Sequence, residues 1–207
     1  MKHYFTEESS AGPLHPVSIR YKTRTLPWNV AGGVFATRGL DEGTKLLLDC
    51  LRVAPGQLLL DAGCGTGAIG LLPHLDCSEL ASVLCDVNPA ALACAAANAR
   101  LHHVTGARLV RCWATTALLP GRFDVAASNP PIRAGRKVVE EILQGSINSL
   151  KPGGVFYMVV RVQQGGWTLA ERLGEWAKST PRLLLRSKGY LVFSLTKPDL
   201  EGGAARG

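Results

Sequence analysis

The sequence predicts an α/β fold in which a seven-stranded, mostly parallel sheet carries helices on both faces, with a small β extension at the N-terminus. From residue 57 onwards, short apolar runs of strand length alternate with segments of helical periodicity. Two of these runs end in polar, turn-forming motifs, Asp61-Ala62-Gly63-Cys64-Gly65-Thr66-Gly67 and Ser128-Asn129-Pro130-Pro131. Alternating strands and helices of this kind form parallel sheets with right-handed crossovers, and ligands bind at the carboxyl ends of their strands.

The elements follow in order along the chain. Two extended segments, 17–21 and 24–26, form the predicted β extension, and a helix over 42–53 ends before a Pro-Gly pair. The strands of the main sheet are predicted at 57–61, 80–85, 107–110, 123–127, 155–160, 182–186 and 190–195. Further helices are predicted at 66–74, 89–101, 138–150 and 167–178. We therefore divide the chain into a leader (1–40), a main domain (41–196) and a polar, glycine-rich tail (197–207) that we expect to be disordered.

The composition limits the class of protein. No apolar run approaches the roughly 20 residues that a membrane-spanning helix needs, and residues 1–8 lack the apolar core of a signal peptide. We therefore expect a cytoplasmic protein without a membrane partner. The 6 cysteines include no C-x-x-C pair. This argues against a metal site and against a disulfide framework, so we expect reduced thiols and no metal.

The first motif lies where a strand passes through a tight turn into a helix. Gly63, Gly65 and Gly67 allow the backbone to approach a ligand that a side chain would exclude. Asp86, at the end of the next strand, can accept hydrogen bonds from both hydroxyls of a ribose. Dinucleotides use such an acid too, but the motif departs from G-x-G-x-x-G because Gly70 breaks the spacing of its last step. Since no hydride-transfer site is evident either, S-adenosylmethionine is the favoured cofactor.

The second motif suits a reaction at a planar nitrogen. The lone pair of such a nitrogen is delocalised, so an enzyme must favour the pyramidal nitrogen of the transition state. The side-chain oxygen of Asn129 and the backbone carbonyl of Pro130 can each accept one N–H, which directs the lone pair towards a methyl donor. Pro130 and Pro131 fix the backbone and contribute no N–H of their own. Asn129, Pro130 and Pro131 are therefore the candidate catalytic residues.

At these residues the sequence resembles the Rossmann-like, amino-directed S-adenosylmethionine-dependent methyltransferases with an N-P-P-[YF] motif. It is most similar to the methyltransferase small domain family, which includes the guanine-N2 methyltransferases of small-subunit ribosomal RNA. Other segments that match this family are Gly33-Val34-Phe35-Ala36 and residues 40–47, 121–124 and 150–154. The resemblance extends over about residues 3–197.

The resemblance implies methyl transfer from S-adenosylmethionine to an exocyclic amine, with guanine N2 of ribosomal RNA as the best single target and RNA as the partner. It implies cofactor contacts from Asp61, Ala62, Gly63, Cys64, Gly65, Asp86, Val87, Asn88 and Asn129. It also implies that Trp113 lies against the adenine ring, with an ordinary surface aromatic as the alternative. From the leader, Phe35 is expected to cover the cofactor cavity.

The sequence departs from the family pattern at Ile132, where an aromatic residue usually stacks on the target base. This departure leaves open a protein glutamine N5-methyltransferase, because a glutamine amide needs the same two acceptors. A catalytically silent module that binds the cofactor or RNA is a third hypothesis. The retention of Asp61, Asp86 and Asn129 argues against it.

The charge of the chain bears on the substrate. Lysine and arginine outnumber aspartate and glutamate by 23 to 16, which gives a net charge of +7. This is a moderate bias towards polyanionic partners, and alone it decides nothing. Basic side chains follow the second motif immediately, at Arg133, Arg136 and Lys137. They either attract phosphate at the entrance of the site or form the solvated start of a helix.

Overall fold

The computed structural model describes residues 12–34 and 39–199 of the chain. Two strands, β1 (Leu14–Tyr21) and β2 (Arg24–Ala31), form the predicted N-terminal extension as an antiparallel pair. The main sheet contains β3 (Leu58–Ala62), β4 (Ala81–Asp86), β5 (Ala107–Arg111), β6 (Phe123–Ser128), β7 (Leu150–Arg161), β8 (Arg182–Ser187) and β9 (Tyr190–Thr196). The helices are α1 (Glu42–Cys50), α2 (Ala68–Leu71), α3 (Pro89–Leu101), α4 (Arg136–Ser149) and α5 (Gly166–Ala177). Within these two ranges, no helix is both long and apolar enough to span a bilayer.

The main sheet has the strand order β5-β4-β3-β6-β7-β9-β8. Neighbouring strands are parallel except that β9 runs antiparallel to both β7 and β8. The chain order reverses between β3 and β6, so the loops that leave these strands diverge and open a crevice at the carboxyl edge of the sheet. The predicted α/β class, with a seven-stranded and mostly parallel sheet, is confirmed.

Apolar side chains fill both faces of the sheet. Leu59 packs in one cluster with residues of α1 and α2, whereas its neighbour Leu60 packs in a second cluster with residues of α4 and α5. Successive side chains of a strand point to opposite faces, so a strand covered on both sides has no polar alternation. This explains why the start of β3 is an unbroken run of leucines.

Several elements differ from their predicted bounds, and two of these differences have a clear physical reason. The helix predicted over 66–74 is α-helical only in α2 and continues as a 3-10 turn over Leu72–Leu75. Pro73 has no N–H to donate to the carbonyl four residues earlier, so the α-helical pattern cannot continue through it. The strand predicted over 155–160 begins earlier, since Leu150 already pairs with Phe123 ahead of the irregular residues 151–154.

The ordered chain passes the predicted start of the tail. The Nζ of Lys197 donates to the carbonyls of Asn148 at 3.1 Å and Leu150 at 2.7 Å, and its backbone pairs with Gly153 and Gly154. The boundary at 197 was therefore placed too early. Residues 200–207, like 1–11 and 35–38, lie outside the described residues, so disorder of the tail and the position of Phe35 stay predictions.

The N-terminal hairpin of β1 and β2 is fixed to the first motif by buried polar groups. The Nε1 of Trp28 donates to the Oγ1 of Thr66 at 3.1 Å. The fully buried side chain of Asn98, on α3, donates to the carbonyls of Asn29 and Thr66, both at 3.0 Å, and accepts from the backbone N–H of Asn29 at 2.7 Å. His102, at the end of α3, stacks on Trp28 and donates to a backbone carbonyl. The hairpin thus braces the glycine turn.

Candidate active site

A cavity of about 1060 Å³ opens at the carboxyl edge of the sheet, where β3, β4 and β6 end. This volume lies at the upper end of the range of ligand pockets, so it accommodates a nucleotide-sized molecule together with a second reactant. The predicted site residues that line it are Gly63, Cys64, Gly65, Asp86, Val87, Asn88, Trp113, Asn129, Pro130 and Pro131. The two motifs and the end of β4 therefore meet in one place.

The glycine turn leaves its backbone open to the cavity. Gly63 and Gly65 have φ angles of +76° and +54°, in the left-handed region that favours glycine. A Cβ at Gly65 would meet no atom within 4 Å, and one at Gly63 would meet only the Cδ of Pro131, at 4.0 Å. Side chains here would therefore project into open space that a ligand can instead occupy. The open backbone from Gly63 to Gly65 forms a cradle, and this cradle fits the predicted cofactor.

Asp61 and Ala62 have no exposed surface and are not part of the cavity wall. One oxygen of Asp61 accepts from the backbone N–H of Gly70 at 2.8 Å, which caps α2 in place of the side chain that Gly67 lacks. Its other oxygen accepts no hydrogen bond from the described residues. Burial raises the pKa of Asp61 to about 7, and the nearby charge of Asp86 adds to the rise. Asp61 thus stabilises the turn from behind, and direct cofactor contact from it remains a prediction.

Asp86 connects the end of β4 to the glycine turn. Its oxygens accept from the backbone N–H of Gly65 and from that of Asn88, each at 2.9 Å. Burial raises its pKa above the usual range of an aspartate, and the backbone donors oppose this rise. A carboxylate has about four lone-pair sites. Asp86 therefore retains free acceptors while it also fixes the glycine turn, and its contact with ribose hydroxyls stays a prediction.

Trp113 lies in the cavity wall just after β5, with 39% of its surface exposed. Its indole N–H donates to the carboxylate of Glu141 on α4. This hydrogen bond holds the ring in place, and its contact with an adenine stays a prediction. A flat apolar face in this position suits the stacking of an adenine.

Asn129 is held by two groups that the sequence analysis did not identify. Its Nδ2 lies 3.2 Å and 3.3 Å from the two carboxylate oxygens of Asp41 and 3.0 Å from the Oγ1 of Thr44. The hydroxyl of Thr44 itself donates to Asp41, so it can only accept from Asn129. We call Asp41 and Thr44 the amide clamp. Because the clamp offers only acceptors, it fixes the NH₂ on its own side and leaves Oδ1 of Asn129 without a donor among the described residues.

The prolines of the second motif make a tight turn. Pro131 has a φ of −76° and a ψ of 77°, and the carbonyl of Pro130 accepts from the N–H of Ile132 at 2.9 Å. The prolines contribute no N–H, as expected, but the next residue, Ile132, supplies one to this carbonyl. A carbonyl has two lone pairs. Pro130 thus keeps one acceptor for a substrate.

The rim beyond the prolines is basic. Ile132 and Arg133 both line the cavity. Arg136 and Lys137 pair along α4 with Glu140 and Glu141, whereas Arg133 forms no ion pair within the described residues. Of the three basic residues that follow the motif, Arg133 is therefore the one that presents an unneutralised charge to the cavity.

The residue types of the site bear on metal binding. Within residues 12–34 and 39–199, no group of three or more histidine, cysteine, aspartate or glutamate side chains is arranged to hold a metal ion. All six cysteines are free. Burial raises the pKa of the Cys64 thiol well above its usual range, so this cysteine of the glycine turn is held as a neutral thiol.

Known proteins resemble this chain in sequence. The uncharacterised protein YbxB of Bacillus subtilis is 29% identical over 201 residues, which cover 95% of this chain and 98% of that protein. The ribosomal RNA small subunit methyltransferase C of Hahella chejuensis is 35% identical over 145 residues, which cover 67% of this chain and 41% of that protein. The chain spans about two fifths of the length of the methyltransferase C relatives that it matches.

Solved structures resemble the chain in fold. The 16S rRNA N2 methyltransferase RsmC of T. thermophilus, in complex with AdoMet and guanosine, aligns with a TM-score of 0.78 at 23% identity, covering 89% of this chain and 50% of that one. A SAM-dependent methyltransferase from Aquifex aeolicus aligns with a TM-score of 0.61 at 13% identity, covering 74% of this chain and 89% of that one. At these identities the likeness shows the fold alone.

A family model covers most of the chain. The model of the methyltransferase small domain matches residues 27–194. This match confirms the predicted family and, with it, S-adenosylmethionine rather than a dinucleotide as the cofactor. This protein belongs to the methyltransferase small domain family.

Proposed function

We propose that this protein transfers a methyl group from S-adenosylmethionine to an exocyclic amine, and that the amine is N2 of a guanine in ribosomal RNA. The observation that carries the proposal is the fixed amide of Asn129. Its Nδ2 donates to the amide clamp, so its Oδ1 is left as an acceptor in the cavity wall. An NH₂ group that must be held next to a methyl donor is the natural partner of such an acceptor.

The residues that would hold the cofactor lie at the ends of β3 and β4. Asp86 has lone pairs for the ribose hydroxyls, and the backbone between Gly63 and Gly65 lies open beside them. Trp113 offers a flat surface to the adenine. When bound, S-adenosylmethionine supplies a methyl group made electrophilic by the sulfonium.

The catalytic residues act by positioning. Oδ1 of Asn129 and the carbonyl of Pro130 each accept one N–H of the amine, which turns its lone pair towards the methyl group. The N–C bond forms as the S–C bond breaks. The methylated amine is then acidic enough to release its proton to water, so the site needs no strong base.

RNA is the preferred substrate for two reasons. The net charge of +7 favours a polyanion, as does Arg133 at the rim, which forms no ion pair within residues 12–34 and 39–199. Two relatives that are 31% and 35% identical to this chain over 144 and 145 aligned residues are named ribosomal RNA small subunit methyltransferases. The predicted cytoplasmic location agrees with such a substrate.

A second candidate function is methylation of a protein glutamine. It is favoured by Ile132, which occupies the position of the usual aromatic and has no flat ring on which a base could stack. The amide of a glutamine would use the same two acceptors. Only the substrate separates the two reactions.

The test is incorporation of labelled methyl from S-adenosylmethionine into four substrates, namely naked ribosomal RNA, small subunits, large subunits and ribosome-free protein extract. We expect label in one RNA-containing fraction. In Asn129→Ala the label should fall by about 100-fold or more while cofactor affinity is kept, since the lost acceptor acts mainly in the transition state. Label confined to protein would support the glutamine reaction, and full activity of Asn129→Ala would overturn the mechanism.

A further inference from the structure

A stacked pair of side chains lies in the cavity wall on the side of β7. The guanidinium of Arg161 lies over the ring of Tyr190, with its Cζ 4.5 Å from the ring centroid. Both residues line the cavity. Arg161 is exposed, whereas Tyr190 is only 8% exposed. The buried ring therefore contacts the guanidinium, while Arg161 keeps exposed surface in the cavity wall.

This pair is adjacent to the amide clamp. The ring of Tyr190 packs against Gly43, in the first turn of α1, where a Cβ would lie 2.8 Å from Cε1 of Tyr190 and 3.1 Å from Oδ1 of Asp41. Arg161 ends β7, which is the neighbour of β6, and Asn129 directly follows β6. The stacked pair, the clamp and Asn129 thus form one continuous part of the cavity wall.

The chemistry of Arg161 suits a flat, anionic ligand. Arg161 forms no ion pair within the described residues, so its charge is not neutralised by a neighbouring acid. A guanidinium is planar and weakly hydrated, and it stacks on bases as readily as on aromatic rings. Ile132, in contrast, packs against the core cluster of α4 and presents no planar group. The wall thus has a planar surface, although not at the position where the family has one.

We propose that Arg161, supported by Tyr190, is the surface on which the target base of the RNA stacks when its amine is held by Asn129. The inference rests on the proposed function, since it requires a base next to Asn129. Arg161 replaces the aromatic residue that this chain lacks after its second proline. It also favours a nucleobase over a glutamine side chain, whose small amide gains little from a stacking surface.

The experiment measures how much a single base contributes to binding. Two labelled pentanucleotides, one with a central guanosine among abasic riboses and one entirely abasic, are titrated by fluorescence anisotropy into protein saturated with S-adenosylhomocysteine. In the wild type the guanosine should tighten binding by about tenfold, the typical effect of one stacked base. In Arg161→Lys, which keeps the charge but has no planar group, this ratio should fall several-fold, while the abasic RNA binds as before.

Two further variants make the result specific. Arg161→Lys combined with Ile132→Phe should restore the ratio, because the ring returns a stacking surface at the position used by the family. Arg122→Lys, at the opposite edge of the sheet, serves as the matched control and should keep the wild-type ratio.

The outcomes separate the two proposals. An unchanged ratio in Arg161→Lys overturns the role of Arg161, even where labelled methyl still enters ribosomal RNA and the proposed function stands. A wild type that does not distinguish the two pentanucleotides overturns it as well. Label confined to protein overturns both the proposed function and the stacking surface.

Discussion

Replacing Asp41 with asparagine tests whether the carboxylate sets the direction of the Asn129 amide. Oδ1 of Asp41 accepts from the backbone N–H of Gly43 at 2.9 Å and of Thr44 at 3.3 Å, which caps α1. Asparagine is as good an N-cap as aspartate, so the variant keeps the start of the helix. It places an NH₂ where Oδ2 now lies 3.2 Å from Nδ2 of Asn129. Two donors then face each other.

The repulsion between these two NH₂ groups is relieved when the side-chain amide of Asn129 rotates by half a turn. Its oxygen then accepts from the introduced amide, and its NH₂ faces the substrate, where an acceptor is needed. A hydrogen bond to a charged group contributes about 1.5–3 kcal/mol, and about 1.4 kcal/mol is a factor of ten in rate. We therefore expect Asp41→Asn to lower kcat by about 10- to 100-fold.

The assay is steady-state methyl transfer to the RNA fraction that the wild type labels, together with calorimetry of cofactor binding and a melting curve. Cofactor affinity and melting temperature should stay close to those of the wild type, since the cradle and the helix cap are intact. The double variant Asp41→Asn/Asn129→Asp restores the donor to acceptor pairing and leaves an oxygen facing the substrate. We expect it to recover about tenfold in kcat over Asp41→Asn. A wild-type kcat in Asp41→Asn would refute the clamp.

Three further changes test other parts of the site. Asp86→Ala should weaken cofactor binding by roughly 1–3 kcal/mol through lost ribose hydrogen bonds, and calorimetry that gives the wild-type affinity would contradict this. Asn98→Leu leaves the backbone N–H of Asn29 and the carbonyl of Thr66 unpaired in the interior, so urea unfolding should show a loss of about 2–5 kcal/mol. An unfolding midpoint equal to that of the wild type would show that Asn98 does not stabilise the contact between the hairpin and the glycine turn. The pKa of Asp61 is about 7 in the fold against an ordinary 3.8, so the folded protein binds its proton more tightly than the unfolded chain and loses stability as pH rises between these values. Asp61→Asn should make this slope shallower in urea titrations, since the raised pKa of Asp86 still contributes to it, and parallel slopes would disprove the assignment.

The strands and the place of the site follow from local patterns. Apolar runs of strand length, such as the leucines of β3, predict a parallel sheet because both of its faces are buried. The carboxyl-edge rule then brings Asp86 and Asn129 together without any knowledge of the packing. The same rule does not say how deeply a residue is buried, and in the structure Asp61 lies fully buried behind the cavity wall.

The long-range partners could not be found in this way. Asn98 belongs to an alanine-rich stretch whose pattern predicts only a buried helix face, yet its amide joins β2 to the glycine turn. Asp41 carries the local signal of a helix N-cap, which it is. Nothing local indicates that the same carboxylate bonds to Asn129, 88 residues later. Such contacts depend on how α1 packs on the sheet, and a single sequence does not encode that in any short-range pattern.

The geometry of the second motif gives the start of α1 a chemical role. Of the two acceptors in the proposed mechanism, the carbonyl of Pro130 already accepts from Ile132, so Oδ1 of Asn129 is the one without a competing donor. An amide can rotate by half a turn and present either atom, which means that the motif alone does not define an acceptor. The direction comes from Asp41 and Thr44 at the start of α1. The start of α1 therefore belongs to the proposed transfer site, and a substitution there should lower kcat while cofactor affinity is kept.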